Sequence, residues 1–307
     1  GRQKWLGHLS MMLFAALIAG SFSLGGLTAP HITSAPLNTI RFLFGAGLMG
    51  AMGYMTARQA MVWPKAPWRF FVLGMLMEEF MSSANQAFGM YPGLTAGAIS
   101  AILAKGSPEQ KAKYVPKMVT CEWLGTMNLT EPQCGTDLGL IRTRAVPQAD
   151  GSYAITGTKI FISSGEHDLT ENIIHLVLAK LPDAPPGAKG ISLFIVPKFL
   201  VNDDGSLGER NDVMLAGLIH KMGYRGTVNC ALNFGDDATS VGYLVGEPHH
   251  GLRYMFHMMN EARIGVGIGA ASLGYAGYRY SLGYAMEREQ GRATTNRDPS
   301  TPQIPII

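Results

Sequence analysis

From Leu9 to Ala29 the chain runs for about twenty residues without a charge, and from Leu37 to Ala57 a second apolar run is interrupted only by Arg41. Each is long enough to cross the ~30 Å hydrocarbon layer as a helix. Pro30 to Pro36 would be the turn between them. Arg2 and Lys4 on one side, with Arg58, Lys65 and Arg69 on the other, put both ends at the cytoplasmic face. Residues 1–77 are therefore read as a membrane-like helical hairpin. The competing reading is a pair of buried core helices, which usually keep a polar stripe that Gly and Ser do not form here. A third apolar run starts at Trp68 but meets Glu78 and Glu79 after ten residues, half of what a crossing helix needs. From Glu78 to Ala104 the faces alternate as in a soluble amphipathic helix, and Gly106-Ser107-Pro108 opens another at Glu109.

Beyond these helices the pattern changes to short β-rich runs. Runs rich in β-branched and aromatic residues recur at Tyr153 to Ser163, Ile173 to Ala179, Ile191 to Val196, Val228 to Phe234 and Val241 to Val245, punctuated by Gly, Pro and Asp. They predict a small β-domain of barrel or sandwich kind. From Leu252 to Glu289 a long helical segment rich in Gly and Ala follows, a composition that lets neighbouring helices approach closely. The boundaries read this way are 1–77 for the hairpin, 78–125 for the remainder of an N-terminal helical domain, 126–247 for the β-domain and 248–307 for the start of a C-terminal helical domain.

Charge sharpens the division at 77. All 22 acidic residues lie after Met77, whereas residues 1–77 carry only Arg2, Lys4, Arg41, Arg58, Lys65 and Arg69. Removing those 6 cations from 25 leaves 19 Lys and Arg against 22 acids, so the remainder is net −3 and the overall +3 argues for no nucleic-acid partner. Cys121, Cys134 and Cys230 are odd in number and lack C-x-x-C spacing, which excludes a thiolate zinc site and fits a reducing cytoplasm for residues 78–307. An inner-membrane location would apply if the hairpin inserts. His249-His250 and His167-Asp168 lack further ligands at metal spacing and read as solvated loops. Ser163, Ser164 and His167 form no nucleophile elbow, which argues against hydrolase chemistry.

Two short segments carry the candidate chemistry. Met127 to Asp137 reads M-N-L-T-E-P-Q-C-G-T-D and Ile155 to Ser163 reads I-T-G-T-K-I-F-I-S. Thr130, Thr136, Phe161 and Ser163 are the residue types that would cover an isoalloxazine face, tune its ring edge and hold its pyrophosphate. Each has an ordinary alternative: Thr-Glu-Pro is a common helix start, and Phe161 in an alternating strand is by default core. Together, in this order and at this distance, they resemble the two flavin-contacting signatures of the acyl-CoA dehydrogenase family, T-E-P-x-x-G-S-D and G-x-K-x-[WF]-I-[ST], with Thr136 in place of Ser.

That resemblance implies an α+β, acyl-CoA dehydrogenase-like fold: a helical segment, a central β-barrel or sandwich, and the start of a C-terminal helical bundle. It implies FAD as cofactor, with Leu129 and Thr130 at the ring edge, Thr136 on phosphate, Phe161 and Ser163 flanking the ring, and Arg288 of E-R-E-Q reaching the flavin of a neighbouring subunit in a homo-oligomer. A surface arginine near a helix C-terminus explains Arg288 equally well. The implied reaction is dehydrogenation of an acyl-CoA to a trans-2-enoyl-CoA, with electrons passed to an electron-transfer flavoprotein, and with Thr136, Asn260 and Arg263 at the acyl-CoA. The polar insertions Leu181 to Lys189 and Lys198 to Asp212 resemble the 3-methylmercaptopropionyl-CoA dehydrogenase branch. The family's usual catalytic Glu falls beyond the stretch present. Where some members carry it, immediately before the Arg, this chain has Ala262, and Glu261 is displaced by about 100 degrees around the helix. Residues 78–307 are thus expected to be inactive alone. Leu27 to Gly47, L-T-A-P-H-I-T-S-A-P-L-N-T-I-R-F-L-F-G-A-G, is similar to the opening helices of EamA-type drug/metabolite transporters, which makes a chimera of transporter remnant and flavin-binding piece the alternative.

Overall fold

The computed structural model describes residues 67–292, 295–300 and 302–305. The chain divides into two compact units, 1–70 and 71–307. The apolar runs Leu9 to Ala29 and Leu37 to Ala57 lie outside the described residues. In order, the described residues form α1 (Pro67–Lys105), α2 (Pro108–Val119), β1 (Trp123–Asn128), β2 (Arg144–Pro147), β3 (Tyr153–Ser163), β4 (Asn172–Lys180), β5 (Ile191–Pro197), β6 (Phe199–Val201), β7 (Leu207–Arg210), β8 (Val213–Leu218), β9 (Asn229–Phe234), β10 (Ser240–Leu244) and α3 (Gly251–Glu287).

The helix expected from Glu78 starts earlier and is broken at Asn85, whose backbone leaves the helical region at φ −157° and ψ 84°. The Asn85 side chain accepts from the Phe88 amide at 3.3 Å, so the break is also the N-cap of a second helical segment. That segment buries Ala87, Tyr91, Thr95, Ala98, Ala101 and Ile102, a stripe at three- and four-residue spacing. It crosses β1 at Gly125, where a Cβ would come within 2.6 Å of the Ala98 Cβ. The Thr95 hydroxyl accepts from the Gly125 amide at 3.0 Å and pins the crossing. Phe80–Lys105 is the one described helix long and apolar enough to cross a membrane, yet its inner face is built into this packing. α2 starts on a capping box in which Ser107 and Gln110 each bond the other's backbone amide.

The strands form an eight-stranded sheet ordered β1-β4-β5-β10-β3-β9-β8. β2 pairs with β3 and also touches β4, so β4, β5, β10, β3 and β2 close into a small ring. Alternation divides its side chains between two cores. Ile174, Leu176 and Leu178 face outward with Trp123 against the helices, where α3 adds Met255 and Met258. Val177, Phe194, Val196, Leu232 and Phe234 fill the interior. The five strands read from the sequence are present, with ends shifted by a residue at most. β1, β2 and β8 were not read, and the polar insertion Lys198 to Asp212 folds into the β6–β7 hairpin turning at Gly205, φ 81°.

Gly251 lies against the backbone of Ser192 and Leu193, Gly97 against Met258, and Gly269 against Gln86, so the small residues of α1 and α3 permit close approach as composition suggested. Past Gly269 the helix loses its neighbours: Leu273, Tyr278, Tyr280, Tyr284 and Met286 are all more than half exposed.

Candidate functional site

The two signature segments meet at the end of β1. There the chain leaves Asn128, passes Leu129 and Thr130, and doubles back through Pro132, with Glu131 and Cys134 exchanging backbone hydrogen bonds at 2.8 and 3.0 Å. Thr-Glu-Pro is therefore a tight turn and not a helix start. The Ile160 amide donates to the Thr130 carbonyl at 2.9 Å, and the Lys159 Nζ donates to the Leu129 carbonyl at 3.0 Å. The turn and the end of β3 are thus one piece of structure.

A buried ion pair makes that junction rigid. Lys159 Nζ stands 2.9 Å from Glu131 Oε1, with 0% and 3% of the two side chains exposed. Glu131 also accepts from the Thr143 hydroxyl at 2.5 Å, the Thr143 and Arg142 amides at 3.1 and 2.6 Å, and Gln133 at 2.6 Å. Burial pushes the Glu131 carboxyl up, but the Lys159 charge, the Thr143 hydroxyl and the Arg142 amide outweigh it and hold it at about 2. Burial lowers the Lys159 ammonium, with Glu131 opposing the shift. Burial, then the Glu131 charge, raises the Cys134 thiol. Sequence reasoning passed over both partners. The signal was present in Lys159 itself, a cation on the same parity as buried Ile155 in an alternating strand.

Phe161 lies outside the core: it is 49% exposed, at φ 58°, on a bulge between Lys159 and Ile162. The bulge turns out a ring that strict alternation would have turned in. Lys221 Nζ lies 4.7 Å from the ring centre. Ser163 ends β3, its hydroxyl accepting from the Asn229 side-chain Nδ2 at 3.2 Å. Ser164 adopts φ 58°, its amide donating to the Val228 carbonyl at 2.8 Å. Thr130 is half-buried beside Gly135, where a Cβ would lie 3.1 Å from the Thr130 methyl, and Thr136 is exposed on the same loop. Leu129 and Thr130 are thus tied to the Lys159–Ile160 segment that leads into the exposed Phe161, with Thr136 farther along the same loop and Ser163 at the end of the strand.

The other predicted residues lie on α3. Arg263 donates to the Asn260 side chain at 3.3 Å and its guanidinium stands 5.4 Å from the Phe256 ring, all on one exposed face. Glu261 lies in the same helix. Arg288 caps the C-terminus of α3 through its backbone, about 28 Å of helix beyond Gly269 at 1.5 Å per residue, and is exposed without an ion-pair partner among the described residues. The fold therefore joins the Leu129–Thr130 turn to the strand that carries Phe161 and Ser163, keeps Asn260 with Arg263, and puts Arg288 at the far end of α3.

Two histidines differ from expectation. His167 is buried, its ring 5.5 Å edge-on to Tyr91, and is no solvated loop residue. His175, not singled out from sequence, is fully buried in β4 and shares the Thr126 hydroxyl, at 2.7 Å, with Asn128 at the foot of the Leu129–Thr130 turn. Burial, then the charge of Lys198, lowers its pKa to about 3, so the ring is neutral.

Comparison with known proteins shows the family. The profile of the acyl-CoA dehydrogenase middle domain matches residues 126–236, and that of the acyl-CoA dehydrogenase N-terminal domain matches residues 46–122. Through these two domains the chain belongs to the acyl-CoA dehydrogenase family. It is 51% identical over 236 residues to the 3-methylmercaptopropionyl-CoA dehydrogenase of Ruegeria pomeroyi, a match covering 77% of this chain and 39% of that protein. The chain thus spans about two fifths of that relative's length. The acyl-CoA dehydrogenase of Geobacillus kaustophilus superposes with a TM-score of 0.60 at 27% identity, over 74% of this chain and 55% of its own. A Mycobacterium smegmatis glutaryl-CoA dehydrogenase solved with FADH2 shares the fold, with a TM-score of 0.57 at 22% identity over 76% of this chain and 52% of its own.

These findings correct the reading of the first residues. The N-terminal-domain match begins at residue 46, inside the apolar run Leu37 to Ala57, and continues through 77. Acyl-CoA dehydrogenase character therefore starts before the change in hydropathy. The transmembrane hairpin, the EamA-type resemblance and the chimera find no support. Length and hydropathy alone do not distinguish a membrane span from an apolar segment of a folded domain.

Proposed function

We propose that this chain carries the flavin-holding part of an acyl-CoA dehydrogenase, an oxidoreductase that converts an acyl-CoA thioester to a trans-2-enoyl-CoA. The observation that carries the reading is the fusion of the two signature loops by Lys159, Glu131 and the Ile160–Thr130 hydrogen bond. In this reading Leu129 and Thr130 present their edge to the flavin ring, Phe161 and Ser163 flank it, and Thr136 meets phosphate. Bound FAD would supply the electron-accepting chemistry. Asn260 and Arg263, with Thr136, face the acyl-CoA, and Arg288 serves the flavin of a second subunit in a homo-oligomer. An electron-transfer flavoprotein is the electron acceptor. The family membership, the match to a 3-methylmercaptopropionyl-CoA dehydrogenase and the shared fold with an FADH2-bound glutaryl-CoA dehydrogenase support the reading. Three free thiols, two of them buried, support a cytoplasmic location for residues 78–307.

No base is assigned: Ala262 precedes Arg263, and Glu261 is rotated around the helix from that position. The stretch alone is therefore expected to bind FAD without turning over. FAD titration by fluorescence, followed by addition of butyryl-CoA with an artificial electron acceptor, tests both parts. A bound flavin that butyryl-CoA does not bleach is the expected outcome. Failure to bind FAD would remove the reading, and bleaching would remove the assignment of inactivity.

A further inference from the structure

The segment from Phe161 to His167 holds two non-glycine residues at positive φ, Phe161 and Ser164, both at 58°. Such backbone persists only where surrounding contacts over-determine it. On one side it is held by Thr130 and Val228 through the Ile160 and Ser164 amides. On the other side stands Glu166, whose carboxylate is gripped by two cations. Lys198 pairs with Oε1, and Arg210 reaches Oε2 at 3.1 Å. Lys198 also donates to the His167 carbonyl at 3.0 Å, which fixes the main chain of the turn directly.

Both cations sit at the base of the β6–β7 hairpin, and that base is itself fixed. The Lys198 amide donates to the Ile173 carbonyl at 2.8 Å, and the Phe199 amide and carbonyl are both bonded by the Asn172 side chain at 2.9 Å. Across the hairpin, buried Asn211 donates to the Pro197 and Val241 carbonyls, each at 2.9 Å. Lys198 and Arg210 flank the Phe199 ring at 5.8 and 5.6 Å, which holds the two cations on one platform.

We infer that Glu166 is a positioning residue, and that the β6–β7 hairpin is a brace whose Lys198 and Arg210 hold the Phe161–His167 turn, and with it the Phe161 ring, in the conformation that faces the flavin. The inference rests on the flavin reading above. Glu166→Gln keeps the size and loses the charge. Asp203→Asn is the control, because it breaks the 3.1 Å Lys113–Asp203 pair of the same hairpin without touching the turn. FAD affinity, melting temperature and, in the flavin-free chain, hydrogen exchange at residues 161–168 are compared. Glu166→Gln is expected to weaken FAD on the order of tenfold and to speed exchange in this turn but not in β4 or β5. Asp203→Asn is expected to do neither. Should Glu166→Gln fail to fold, Arg210→Met, at the more exposed end of the clamp, reads the same quantities. Unchanged FAD affinity with unchanged exchange overturns the inference, and so does exchange that quickens throughout the sheet. A wild-type chain that binds no FAD overturns the flavin reading and this inference with it. Local exchange, which needs no flavin, tells that failure apart from failure of the brace.

Discussion

Replacing Lys159 by Met tests the junction on which the site depends. Methionine fills nearly the same volume but leaves the Glu131 carboxylate, 3% exposed, without its cation. Removing one partner of a buried pair typically costs about 3 to 5 kcal/mol. Glu131 is held at about 2 against an ordinary 4.5 by the Lys159 charge, the Thr143 hydroxyl and the Arg142 amide together, against its burial, and their stabilisation of the folded carboxylate depends on pH. Because the folded pKa is depressed, this stability is fully present above about 4.5 and is lost as pH falls toward about 2. Lys159, itself lowered by burial, works the other way, so the pair as a whole contributes less than either deletion costs. Urea denaturation followed by circular dichroism at pH 7 should show Lys159→Met destabilised by about 3 kcal/mol. The double variant Glu131→Gln, Lys159→Met should cost clearly less than the sum of the two single changes. A single-variant loss under about 1 kcal/mol, or simple additivity, would show that the ion pair does not hold the loops as described.

Other outcomes follow from the same structure. Phe161→Gly relaxes a φ of 58° and removes the exposed ring, so it should leave the flavin-free chain no less stable while weakening FAD binding about tenfold or more, read by fluorescence titration. His175 keeps its proton off until about pH 3, whereas the unfolded ring takes one near 6.5, so stability falls as pH drops between those values. His175→Gln should flatten that part of the pH profile of the urea midpoint. Gly125→Ala places a methyl 2.6 Å from Ala98 and 2.9 Å from Met118, and about 1 to 3 kcal/mol of lost stability is expected in the same assay.

Much of the fold was written in local pattern. Short β-rich runs mark β3, β4, β5, β9 and β10 because each buries one face or both in the sheet's two cores, and Gly106-Ser107-Pro108 marks the start of α2, where Ser107 and Gln110 complete a capping box. β1 escaped notice because its Leu-Gly-Thr-Met-Asn is strand only when Gly125 lies under Ala98 and Thr126 under His175. That the family match enters the apolar run Leu37 to Ala57 was not legible there, because hydropathy records that a segment avoids water, not whether lipid or protein replaces it.

The sequence by itself determined the residue types of the site and the order of the two loops that present them. Only the tertiary structure decided how those loops meet. Glu131 and Lys159 are 28 positions apart, and nothing in either local segment states that they share a buried hydrogen-bond network. Phe161 faces outward because a bulge against β9 shifts the register, and Glu166 matters because a distant hairpin supplies both its cations. Periodicity reports which face of an element is buried, whereas pairing between elements is set by whole-chain packing in which a buried charge is stable only beside its partner.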